Sequence, residues 1–76
     1  MSEATDLLDA LKGLLRERGL TYADAAQALG LSEASVKRLF SQRTFTLKRV
    51  EALCELAGAD IAELVARAEA ARSRLD

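Results

Sequence analysis
The chain has 76 residues and a mass of 8.2 kDa, enough for one small domain with an economical core. Half its residues are apolar, 30% are charged and none is proline, a composition that favours helices over a β-sandwich, a barrel or a Pro-rich linker. With no histidine and a single cysteine, Cys54, it cannot build a Ser-His-Asp triad, a histidine metal site, a Cys-based zinc site or an internal disulfide, and the net charge is −1.

Five helices are predicted in chain order. The first spans about Thr5 to Arg18, with Leu7, Leu8, Leu11, Leu14 and Leu15 on one apolar stripe. Thr5 or Ser2 is its candidate cap, Arg16 and Arg18 suit its negative end, and Gly19 is placed to stop it in the left-handed conformation. The second, Tyr22 to Leu29, has Thr21 as N-cap with Asp24 completing a capping-box variant. Its Ala23, Ala25, Ala26 and Ala28 bury little surface themselves and let another helix come close. Gly30 ends it, and Leu31 packs back over that end.

The third helix follows at once, capped by Ser32 and ending near Ser41. Val36, Leu39 and Phe40 turn inward onto helices one, two and four. A link of only Gly30, Leu31 and Ser32 forces helices two and three to meet steeply. The fourth, Leu47 to Ala57, is capped by Thr46, with Phe45 placed to staple onto Val50. Leu47, Val50, Leu53, Cys54 and Ala57 form its buried stripe, and Gly58 stops it. The fifth begins after Asp60, whose partner Glu63 completes another capping-box variant; Ile61, Leu64, Val65 and Ala68 face inward. Residues 70–76 have helix propensity but few apolar anchors, so fraying is expected there.

The near-zero net charge hides an uneven distribution. Residues 32–49 set Lys37, Arg38, Arg43, Lys48 and Arg49 against Glu33 alone, a local +4, whereas residues 1–31 sum to −2 and residues 50–76 to −3. Such a basic stretch is either a solvated charged face or a surface for a polyanion. Burying Val36, Leu39 and Phe40 turns Glu33, Ala34, Lys37 and Arg38 outward, on a helix whose diameter suits the roughly 12 Å wide major groove of B-DNA.

The run from Ala25 to Leu39 resembles the helix-turn-helix of the phage-repressor and Cro-like (XRE-type) DNA-binding family. The small Ala26, the pair Leu29-Gly30, and the apolar Leu31, Val36 and Leu39 stand at the spacing that family uses. The resemblance extends over roughly Leu7 to Ala68. It implies an all-α fold, a compact five-helix lambda-repressor-like domain filling residues 1–76, with its helix-turn-helix at about 21–41. It further implies a sequence-specific DNA-binding transcriptional regulator, usually a repressor, whose partner is double-stranded DNA. A homodimer is expected, with residues 60–76 as the candidate dimer surface. The chain is equally readable as the DNA-binding part of a longer regulator.

Site roles follow from that resemblance and from base-edge chemistry. Arg38 suits a bidentate contact with guanine O6 and N7, and Lys37 a guanine or a phosphate. Glu33 is either an acceptor for a cytosine amine or a first-turn residue favoured by the helix dipole. Ala34 fits a thymine methyl, while Ser32 and Ser35 are small donors for bases or phosphates. Backbone contacts are assigned to Thr21, Tyr22, Ser35, Ser41, Gln42, Arg43, Thr44, Lys48 and Arg49; Arg49 alternatively pairs with Glu55 or a neighbouring helix.

Two features depart from the family pattern. Tyr22 stands where many members carry a phosphate-contacting glutamine, and is either a half-buried ring on helix one or a hydroxyl donor. Phe40-Ser41-Gln42 stands where many have Glu-Asn-Gly, which alters the loop after helix three and adds core packing. Cys54 reads as an inert packed thiol. No catalytic constellation, metal site, cofactor or small-molecule ligand is expected. Without a bilayer-spanning apolar run or a secretion signal, the expected location is the cytoplasm. The competing reading is a protein-interaction module, antitoxin-like or adaptor, whose basic face meets an acidic partner.

Overall fold
The apolar stripes of the three central helices are each held in place by a cap at one end and a reversal at the other. The computed structural model describes the backbone of residues 3–75 and the side chains of 7–71. Its order is α1 (Glu3–Glu17), α2 (Tyr22–Leu29), α3 (Glu33–Gln42), α4 (Leu47–Leu56) and α5 (Ile61–Leu75). Thr21, Ser32 and Thr46 cap α2, α3 and α4 as expected, each accepting from the backbone N–H three residues on. At Thr21 the box is reciprocal, with the Asp24 carboxylate accepting from the Thr21 N–H at 2.9 Å.

Four helix ends reverse in the same way. The N–H groups of Leu20, Leu31, Thr44 and Ala59 donate to the carbonyls of Leu15, Ala26, Leu39 and Cys54, satisfying carbonyls that the helix leaves open. Gly30, with φ +70°, provides the turn between α2 and α3. Arg43 does the same after α3 with φ +55°, an uncommon conformation for a residue with a Cβ.

The core is one cluster running through every helix. Leu11, Leu14, Val36, Leu53 and Leu64 are fully enclosed, and the side chains of Ala25 and Ala26 are buried between neighbours. Close backbone approaches pair α1 with α5 and α4, α4 with α5, and α2 with both α3 and α4. The alanines of α2 permit the last two, because only small side chains separate the backbones. Tyr22, Phe40 and Phe45 stack in sequence, with ring centroids 5.5 Å and 4.7 Å apart.

Several expectations change in detail. α1 begins at Glu3, so Thr5 lies within the helix and is not its cap; Ser2 lies outside the described residues. α3 continues to Gln42, its closest backbone approach is to α2, and Leu39 is only half-buried, while Val36 and Phe40 join the core cluster with residues of α1, α2 and α4. α4 ends at Leu56, with Ala57 as its C-cap. Leu47 leaves the buried stripe and is 66% exposed. Val65, expected inside, is 37% exposed on the outer flank of α5. The Glu63 N–H donates to Asp60 at 2.8 Å, but its carboxylate turns to Arg18 and Arg67 instead of completing a box. The backbone of α5 is helical to Leu75.

Candidate nucleic-acid interface
α3 exposes one stripe along its length. Residues at i, i+1, i+4, i+5 and i+8 share a helical face, and here these are Glu33, Ala34, Lys37, Arg38 and Ser41, all exposed. The opposite face carries the buried Val36 and Phe40. Lys37 meets Glu33 at 3.9 Å, an exposed i,i+4 pair worth a few tenths of a kcal/mol, about 0.3–0.5, and easily broken by a competing anion. Arg38 has no ion-pair partner among the described residues. The cationic face of α3 is therefore open to solvent.

The serines expected on this surface are committed locally. Ser32 accepts from the Ser35 N–H at 3.1 Å, and its hydroxyl donates to Ser35 Oγ at 2.9 Å. Ser35 is half-buried. At the start of α2, the Thr21 hydroxyl both caps the helix and donates to Asp24. Tyr22 is half-buried, its ring against Phe40 and along a groove shared with Leu15 of α1. The ring is half-buried as the ring reading has it, but its aromatic partner is Phe40 of α3 rather than a residue of α1.

The segment after α3 brings the other candidates together. Ser41, Gln42, Arg43 and Thr44 are exposed at the helix end, followed by Lys48 and Arg49 in the first turn of α4. The Arg43 guanidinium reaches back to Asp9 of α1 at 3.4 Å, which steadies the loop but leaves Arg43 about half exposed. Lys48 is exposed and Arg49 half-buried. Neither has an ion-pair partner among the described residues, so the expected link from Arg49 to Glu55 is not formed. The N-termini of α3 and α4 carry the positive ends of their helix dipoles, and Lys48 and Arg49 lie in the first turn of α4.

A family model described as the Cro/C1-type HTH DNA-binding domain matches residues 10–69. The chain belongs to this DNA-binding family. Neither the curated proteins nor the solved structures gave a match. The Cro/C1-type match spans α2, the turn and α3 together with most of α1 and α5, so the helix-turn-helix sits within the supporting helices that its geometry requires. Among the described residues, no helix is long and apolar enough to cross a membrane.

Two further contacts of this Cro/C1-type domain leave no local trace in the sequence. Arg18 donates to the Ala57 carbonyl at 2.8 Å and meets Glu63 at 3.3 Å, joining the end of α1 to the C-terminus of α4 and to α5. Arg67 forms a two-point fork with Glu17 at 2.8 and 3.1 Å, joining α5 to α1. Both cations are thereby engaged within the scaffold. The guanidinium of Arg67 holds the Glu17 carboxyl below its ordinary range, first by hydrogen bonding and then by charge.

Proposed function
We propose that this chain is a sequence-specific transcriptional regulator, a repressor that places α3 in the major groove of duplex DNA. The observation that carries this reading is the exposed stripe of α3, with Lys37 and Arg38 open to solvent on a helix whose other face is locked into the core. Arg38 reads guanine through its planar fork, Lys37 reads guanine or a phosphate, and Ala34 rests on a thymine methyl. Glu33 accepts from a cytosine amine and disfavours registers that bring it onto phosphate. Ser32 stands at the base-facing end of the stripe.

The positioning contacts are sequence-independent. Thr21, Tyr22, Ser35, Ser41, Gln42, Arg43, Thr44, Lys48 and Arg49 bind the backbone. Repression by occlusion needs no further chemistry, because occupancy of the site is sufficient. One such domain touches few base pairs, so the regulator binds as a dimer to half-sites about 34 Å apart. The exposed Ala62, Val65 and Ala66 on α5 supply the apolar face for that dimer.

Selection from random duplexes followed by binding measurements on two variants tests this reading. Arg38→Ala is expected to relax preference at one base pair at a cost of about 1–3 kcal/mol. Lys48→Ala is expected to weaken all duplexes alike and to lower the salt slope by about 1 for each bound domain, about 2 for the dimer. Failure to retain any duplex at low salt contradicts the reading and favours a protein partner for the basic face.

A further inference from the structure
A second cationic feature lies outside the helix-turn-helix. Lys12 and Arg16 stand four residues apart on α1 and border, with Leu15, Leu20, Thr21 and Tyr22, a surface groove of about 240 Å³. At that spacing side chains are neighbours, so the two like charges repel. Neither forms an ion pair with a carboxylate among the described residues, and the Asp24 carboxylate beside Thr21 is engaged in the cap of α2. The acidic residues nearest them along α1 are engaged elsewhere, Asp9 by Arg43 at 3.4 Å and Glu17 by Arg67 at 2.8 Å. A fold that pairs Arg18, Lys37, Arg43 and Arg67 leaves this adjacent couple without an ion-pair partner among the described residues.

The groove also faces the right way. Tyr22 lines it and packs its ring against Phe40 of α3. Asp9, one turn before Lys12, receives Arg43 from the end of α3. These contacts put Lys12 and Arg16 on the flank of α1 that turns toward α2 and α3, whereas the Glu17–Arg67 fork marks the flank covered by α5. We infer that this groove is a phosphate subsite for duplex DNA, in which Lys12 and Arg16 hold the backbone just outside the stretch read by α3. Arg16 supplies a planar fork for phosphate oxygens and Lys12 a mobile point charge. The subsite extends the footprint onto α1 and adds affinity without sequence preference. It rests on the reading of α3 as a duplex-binding helix.

The test is the double variant Lys12→Gln/Arg16→Gln in the full chain, measured by fluorescence anisotropy across a salt series. One selected duplex and one random duplex serve as probes, with Lys48→Gln in parallel. The expected result is a log–log salt slope shallower by about 1.8 for each bound domain, and so by about 3.6 for the dimer, since each neutralised phosphate contributes about 0.9, with binding weakened on both duplexes by a similar factor of roughly tenfold or more at low salt. The exchange Lys12→Arg/Arg16→Lys should keep the slope, which separates charge from any change in folding. Unchanged slope and affinity in the double variant, while Lys48→Gln lowers both, overturns the subsite and leaves the reading of α3 standing. A loss confined to one duplex overturns it as well, because phosphate contacts are blind to sequence. If the parent chain retains neither duplex, the reading of α3 fails and the subsite falls with it.

Discussion
Replacing Phe40 with leucine probes how the exposed helix is anchored. Phe40 sits between Tyr22 and Phe45, with centroids 5.5 Å and 4.7 Å away and rings tilted by 34° and 59°, geometries in which edge and face charges attract. Leucine keeps an apolar side chain at the site but removes both ring pairs, each worth about 0.5–1.5 kcal/mol beyond burial, so Phe40→Leu should cost about 1–3 kcal/mol. A 76-residue domain has on the order of 4–11 kcal/mol of stability. The variant therefore stays folded at room temperature, while its Tm falls on the order of 5–20 °C. Urea unfolding followed by far-UV circular dichroism measures the loss. A cycle with Tyr22→Leu should return a coupling of about 0.5–1.5 kcal/mol. A Phe40→Leu loss within about 0.5 kcal/mol of zero, the scatter of ordinary surface changes, or a vanishing coupling would refute the argument that the stacked rings hold α3 on α2.

Three further outcomes follow from local geometry. Arg43 has φ +55°, so Arg43→Gly should be more stable than Arg43→Ala by about 1 kcal/mol, the reverse of the order inside a helix, because both lose the Asp9 contact but only alanine keeps the strained Cβ; equal chemical-denaturation midpoints would contradict this. Glu17 has its carboxyl lowered in the folded state by Arg67, so its stabilisation is complete above the ordinary carboxylate value of roughly 4.3 and disappears as pH falls through the lowered one. Glu17→Gln should accordingly flatten the acid limb of the stability profile, and an unaltered limb would dismiss the clasp. Burial pushes the Cys54 thiol up, helped by the charges of Asp60, Glu63 and Glu51, so its labelling by a disulfide reagent should be roughly 10²-fold slower or more in the native protein than in denaturant; prompt labelling of native protein would count against the buried position.

Much of the fold was legible because its signals are local. Thr21, Ser32 and Thr46 precede helices by a single residue, and Gly19, Gly30 and Gly58 follow them where left-handed backbone is needed. The outward turn of Glu33, Ala34, Lys37 and Arg38 followed from burying Val36 and Phe40 on the other face. Periodicity alone misplaced Leu47 and Val65, since it states which residues share a face but not how far a neighbouring helix extends over that face. The Arg18–Ala57 and Arg67–Glu17 contacts join residues far apart in the chain, and no local spacing announces them. The same blindness hid the Lys12–Arg16 couple: its exposure to a ligand depends on Asp9 and Glu17 being engaged elsewhere.

The central claim is that the open face of α3 enters a duplex while its buried face stays in the core. An amide-resolved NMR titration of the labelled protein with a selected duplex tests it most directly. The expected result is the largest shifts at residues 32–44 and the first turn of α4, with smaller ones at Thr21 and Tyr22 and around Lys12 and Arg16, and the amides of Leu53 and Leu64 unmoved. Perturbations confined to α5, or a spectrum indifferent to added duplex, would contradict it.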